Sequence, residues 1–105
     1  MSKLIKDGKV AVLISRGFGA GWSTWCYDAA DIEFMLFDSR LVQALLDDKR
    51  DIVEQLVAEN TDEAYTGGLR GLYVEWLDVG TQFIINEYDG SETLQILSPT
   101  VGHVA

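Results

Sequence analysis

Residues 15–31, SRGFGAGWSTWCYDAAD, concentrate the groups most able to do chemistry. Arg16, Gly17, Gly19, Gly21, Trp22, Ser23, Thr24 and Trp25 together could form a small anion or nucleotide site. Backbone amides of the glycine run, the Arg16 guanidinium and the Ser23 and Thr24 hydroxyls would hold a phosphate. An indole would stack on a base. The spacing is G-x-G-x-G, not the G-x-G-x-x-G of a dinucleotide site, and no P-loop lysine follows. Trp22–Trp25 do not resemble the first turn of a helix, so the helix N-terminus that would receive a phosphate is missing. Against the ligand reading stands a simpler one. The glycines supply positive φ in a tight β-connection, and both tryptophans close one end of the core.

Other reactive sets are thin. His103 is the one histidine and Cys26 the one cysteine. A nucleophile–base pair would need the C-terminal tail to fold back beside Cys26, Ser23 or Ser15. A four-ligand zinc site has too few soft ligands, and the calcium-loop pattern is absent. Carboxylate pairs such as Asp28 with Asp31, or Glu87 with Asp89, would do acid–base work if buried together. Isolated acids at caps and turns are the commoner arrangement. The expectation is therefore a chain with no catalytic residues, no metal and no cofactor, and Cys26 as a small packed residue.

Charge points to a different surface. Residues 28–63 hold eleven acids against Arg40, Lys49 and Arg50, a net −8 of the chain's −9. Such a field repels nucleic acid and attracts basic surfaces. Asp47, Asp48, Asp51 and Glu54 are the candidate partner-binding residues, for a host protein with a basic surface. A solvated helix face that keeps the protein soluble is the bland alternative.

These groups need elements to position them. At 105 residues and 48% hydrophobic, the chain suits a single domain with its own core. No apolar run approaches a membrane span, and the first residues lack a signal-peptide segment, so a cytoplasmic protein without membrane contact is expected. Asp7-Gly8 reads as a turn, and KVAVLIS over 9–15 as a central strand. WSTWCY over 22–27 is either a short strand or loop. Asp28 caps a short helix carrying Ile32, Met35 and Leu36, and Asp38-Ser39 offers a second cap. Leu41, Val42, Leu45 and Leu46 recur eleven residues later as Ile52, Val53, Leu56 and Val57, which fits one helix over about 40–59, the favoured reading, or two helices broken near Asp48-Lys49. Leu72, Val74 and Trp76 alternate on a strand, TQFIINEY over 81–88 is strand-like, and Asp89-Gly90 signals a hairpin into 92–97. The sum is an α+β fold. It has an N-terminal strand, central helices and a C-terminal antiparallel three-strand meander, forming one sheet covered by helices on one face. The expected core is Val10, Val12, Ile14, Leu41, Leu45, Ile52, Leu56, Val74, Trp76, Phe83 and Ile85. Residues 98–105 are expected to be a flexible tail. An exposed sheet edge near 93–97 suggests a homo-oligomer, in the first instance a dimer.

The runs KDGKVAVLISRGFGAGWSTW, YTGG and VEWLDVGTQFIINEYDGSE resemble small uncharacterised proteins of tailed phages and bacterial genomes, over roughly residues 5–92. The resemblance implies an accessory role and transfers no catalytic residue. By analogy it implies action against host machinery, restriction or CRISPR systems among them. Two functions follow. One is a non-catalytic phage-type inhibitor, of anti-CRISPR or nucleic-acid-mimicking kind, that binds a host protein in the host cytoplasm. The alternative is a binder that sequesters a nucleotide signal through the glycine–tryptophan loop. A small hydrolase using carboxylates comes third.

Overall fold

The run KVAVLIS is apolar at every interior position because its strand is covered on both faces. In the computed structural model, which describes residues 1–17, 21–62, 64–97 and 103–105, Val10 through Ser15 are all buried. Strand β1 (Ile5–Lys6) and strand β2 (Lys9–Ser15) form a hairpin whose turn is Asp7-Gly8. Both turn residues have positive φ, the backbone a two-residue hairpin needs. Helices α1 (Ala29–Phe37), α2 (Ser39–Leu46) and α3 (Arg50–Asn60) follow. Strand β3 (Leu72–Asp78) returns antiparallel along the whole of β2. Strands β4 (Gln82–Tyr88) and β5 (Ser91–Ile96) form a second hairpin about Asp89-Gly90, and β6 (His103–Val104) pairs with the other edge of β4.

The fold is α+β, but the expected single sheet is two. Strands β1-β2-β3 form one and β5-β4-β6 the other. The expected meander breaks at Val79-Gly80-Thr81. There the Val79 amide donates to Gly8 O and the Gly80 amide to Ala105 O, so the chain leaves one sheet for the other instead of pairing β4 onto β3. Side chains alternate across β2. Val10, Val12 and Ile14 meet Leu36, Phe37, Leu77 and Phe83 between the two sheets. Ala11 and Leu13 meet Trp22, Met35, Leu41, Val42, Val53 and Val57 beneath the helices. Helices α2 and α3 therefore cover one face of the first sheet, the second sheet packs toward the other, and α1 contributes side chains to both clusters.

Asp28 caps α1 as expected, its carboxylate accepting from the Asp31 amide at 3.0 Å. Asp38 ends α1 and caps α2, accepting from the Arg40 amide at 2.9 Å. Its buried carboxylate is also gripped by the Arg40 guanidinium at 3.1 and 3.2 Å. The single helix favoured over 40–59 is corrected to the alternative, two helices broken near Asp48-Lys49. Asp48 turns left-handed at φ +57, the Asp48 amide donates to Leu45 O, and the Lys49 amide donates to Ala44 O. That is the Schellman ending of a helix, with aspartate where glycine is usual. The break rotates α3 relative to the eleven-residue repeat. Val53 and Val57 are buried, Leu56 is half-buried, and Ile52, expected in the core, is 37% exposed.

The tail also differs from expectation. Residues 98–102 lie outside the described residues, but His103–Val104 pair with β4 and Ala105 is buried. Lys3 Nζ donates to Val104 O at 2.7 Å, and the Ser39 amide to Ser2 O, so both ends of the chain are tied down. Among the described residues no helix is long and apolar enough to cross a membrane.

Leu41→Ala should cost about 2–5 kcal/mol in urea unfolding, the usual range for a fully buried leucine. Ile52→Ala should cost well under half of that. Equal costs for the two would mean that α3 presents a different face to the core.

Candidate functional site

The candidate site is built around a buried carboxylate. Glu92 follows the Asp89-Gly90 turn on β5, opposite Glu87 of β4, and is fully buried. Its Oε1 accepts the Ser15 amide at 3.0 Å. Its Oε2 accepts the Trp22 amide at 2.9 Å, the Thr24 amide at 3.1 Å and the Thr24 hydroxyl at 2.6 Å. Three of these donors are backbone N–H groups, which can only donate. A carboxylate removed from water needs such partners, and bonds to a charged acceptor are the strong kind. The amides of Ser15, Trp22 and Thr24, which flank the glycine run, thus close on an internal anion.

Three segments converge here. Ser15 Oγ donates to Gly68 O at 2.7 Å, and the Arg16 amide to Gly71 O at 3.1 Å. A Cβ on Gly68 would lie 2.4 Å from Gly21 O, and one on Gly71 would lie 2.7 Å from the Gly17 amide nitrogen. Backbone meets backbone at both positions, so no side chain fits. Ser91 Oγ donates to Arg16 O at 2.9 Å, tying in the β4–β5 hairpin.

The two tryptophans part company. Residues 22–27, expected as strand or loop, contain a single 3₁₀ turn at Ser23–Trp25. Trp22 is fully buried in the core, and its indole Nε1 donates at 2.7 Å to Met35 O in the last turn of α1, a carbonyl that the helix leaves without an internal partner. Trp25 is half-buried. It stacks on Tyr65 with ring centroids 5.4 Å apart and donates through Nε1 to Glu87 Oε1 at 3.1 Å. Glu87 also accepts the Gly90 amide at 2.6 Å. That amide first, and the Trp25 indole second, hold its carboxyl below the usual carboxylate range.

Beside this stack lies a depression of about 310 Å³ edged by Trp25, Cys26, Tyr27, Asp28, Asp31, Asp62, Ala64 and Tyr65. A second depression, of about 430 Å³, is edged by Glu54, Val57, Ala58, Thr61, Asp62, Ala64 and Thr66. Asp62 and Ala64 belong to both, so the two form one continuous surface. Among the described residues no basic side chain lines either. Cys26 sits in the wall of the first. Burial, and then the charge of Asp31, push its thiol up, which keeps it protonated and weakly nucleophilic at neutral pH.

The residues expected from the sequence are distributed as follows. Thr24, Trp22 and Ser15 surround Glu92, Ser23 is buried in the 3₁₀ turn, and Gly21 lies under the Trp25 ring. Gly17 backs Gly71, and Gly19 falls outside the described residues. The exposed Arg16 guanidinium lies 3.9 Å from the Tyr73 ring centroid. Asp47 and Asp48 form the α2–α3 turn, and Asp51 and Glu54 lie exposed on α3. Only Trp25 and Glu54 of the two sets meet on the continuous surface. Glu92, Tyr27, Asp62 and Tyr65 were not singled out from the sequence. Of these, Glu92 alone carried a signal, because strand alternation puts it on the same face as Leu94.

Glu92→Ala would leave three amides and a hydroxyl buried without their acceptor, at a cost of about 3–5 kcal/mol in urea unfolding. Glu92→Gln should recover little, since its NH₂ would face donors, whereas Thr24→Val should cost about 1–2 kcal/mol for its one lost bond. A Glu92→Gln protein as stable as wild type would remove the carboxylate from this central place. For Cys26, the iodoacetamide alkylation rate should reach half its plateau at a pH above that of free cysteine. A midpoint below it would contradict the environment described.

Comparison with known proteins finds no matching family model, and no significant match among curated proteins or solved structures.

Proposed function

We propose that this chain is a non-catalytic inhibitor of the phage-accessory type that binds a host protein through an acidic face, acting in the host cytoplasm. The observation that carries the reading is the continuous surface joining Glu54 on α3 through Asp62 to Asp28, Asp31, Trp25 and Tyr65. Acids there are exposed or half-buried and among the described residues no cation lines the surface, so it complements a basic groove, such as one that receives nucleic acid. Asp47, Asp48 and Asp51 extend the same charge along the α2–α3 turn. Aromatic rings at its edge supply the apolar contact area that carries binding energy in protein interfaces.

Of the groups the nucleotide-binding alternative calls on, the Thr24 hydroxyl is engaged by Glu92 and the Trp22 indole is buried against Met35 O, which leaves that reading fewer free groups. The hydrolase reading has Asp28 occupied as a helix cap and Glu87 tied to Gly90 and Trp25. A homodimer through the β5 edge belongs to the same proposal. Strand β5 pairs only with β4 among the described strands, and Thr93, Gln95 and Ile96 are exposed. Light scattering should give twice the monomer mass, and a monomer at high concentration would remove the dimer.

The experiment for the inhibitor reading is affinity capture from bacterial lysate with wild type and an Asp47→Lys, Asp51→Lys, Glu54→Lys triple variant. The variant should melt nearly as wild type does, since exposed substitutions typically change stability by about 0.5 kcal/mol or less. A protein retained by wild type should be released as salt rises and should bind the variant more slowly and weakly. Retention indifferent to both salt and charge reversal would place the active surface elsewhere.

A further inference from the structure

We propose that the depression beside Trp25 is a recognition pocket for an arginine side chain projecting from a basic protein surface. This deepens the acidic-face reading and rests on it. Three features select that chemistry. Trp25 and Tyr65 are stacked at an interplanar angle of 23°, with Tyr65 47% exposed and Trp25 half-buried and anchored to Glu87. Tyr65 is therefore the more exposed ring of the stack, with the Gly67 backbone against its hydroxyl end, and a flat group would meet its exposed part. The second feature is charge. Asp28, Asp31 and Asp62 edge the same depression with no cation among them, which favours a cationic visitor over a phosphorylated one. The N-terminus of α1 lies at this edge and would favour an anion. Its Asp31 amide is already taken by Asp28, and two carboxylates outweigh about half a positive charge. The third feature is the remaining aromatic, Tyr27, which is 97% exposed and makes a second apolar border.

A planar cation meets all three conditions. Guanidinium stacks on an aromatic face and offers a fork of donors to carboxylates at its rim, whereas an ammonium is a strongly hydrated point charge. A metal ion is a poorer occupant, because among the described residues no group of three or more His, Cys, Asp or Glu side chains is placed to hold one. A volume of about 310 Å³, the space of about ten waters, accepts a single long side chain, not a folded element.

The test uses the full chain and fluorescently labelled hexa-arginine and hexa-lysine peptides, read by anisotropy at low salt. Hexa-arginine should bind roughly fivefold or more tightly than hexa-lysine. Tyr65→Leu should abolish the difference between the peptides, and Tyr65→Phe should keep it, a contrast that a merely structural role for Tyr65 would not give. Asp31→Asn with Asp62→Asn should weaken both peptides, and thermal melting should confirm that each variant folds. Equal binding of the two peptides, or a preference for arginine that survives Tyr65→Leu, overturns the pocket. If such unselective binding is lost in the Asp47→Lys, Asp51→Lys, Glu54→Lys variant, the acidic-face reading stands without the pocket. No binding of either peptide overturns the pocket too, and salt-indifferent lysate capture beside it overturns the acidic-face reading as well.

Discussion

A carboxylate with no water around it must be surrounded by donors, and the placement of Glu92 dictates much of what encloses it. Its oxygens draw in the end of β2 through Ser15 and the start of the 3₁₀ turn through Trp22 and Thr24. Donors and acceptor lie 68 to 77 residues apart in sequence, so the contact ties β2 to the β4–β5 hairpin. Once the loop is pinned, its neighbours have little freedom. The 66–71 segment must pass backbone against backbone, which explains glycine at 68 and 71, and Trp22 is delivered into the core under α1. Burying a charge is costly, and replacing such a group with apolar residues is often neutral in other proteins. What Glu92 supplies is directionality. Apolar packing alone would not specify which amides of a glycine-rich loop face inward.

Local signals in the sequence were reliable where the partners are local. The doubly covered strand β2, the two Asp-Gly hairpins, and the caps at Asp28 and Asp38 each depend on residues within a few positions. The errors occur where distant partners decide. Asp78-Val79-Gly80 has the composition of a hairpin turn, but the acceptors of its amides are Gly8 and Ala105, which no local pattern names. The eleven-residue repeat from Leu41 to Val57 fits one helix or two equally well. The deciding fact is a left-handed aspartate at 48, an unusual residue for that place. Ile52 was misplaced as a consequence.

The candidate site was legible in part, and the part missed follows one rule. Trp25 and Glu54 were each found, on separate grounds, as a member of a loop and of an acidic run. That they share a surface depends on Asp62, Ala64 and Tyr65, which lie in a connection with no periodic pattern. Glu92 was visible as an acid on the apolar face of a strand, beside Leu94 and opposite Glu87. An inward carboxylate asks where its donors are, and residues 15–24, read in part as a donor set in search of an anion, ask the converse through Ser15, Trp22 and Thr24. Each question answers the other.

The internal anion also sets the character of the outer surface. With the Trp22 and Thr24 amides turned inward onto Glu92, the half-buried Trp25 ring is what this turn presents at the depression. The charge of that face is left to Asp28, Asp31 and Asp62. Exposed carboxylates repel one another only weakly in water, by about 1 kcal/mol at 4 Å, so the fold tolerates them. The same charges act more strongly on a visitor that displaces water, because the effective dielectric falls as the surface is covered. A stacked aromatic pair displaces water without adding charge. The acids would then govern how fast a basic surface arrives, and the rings how long it stays, a division common in protein association. Neither component alone would discriminate well. Carboxylates without the stack would separate arginine from lysine only by the guanidinium fork, and rings without the carboxylates would accept any flat apolar group.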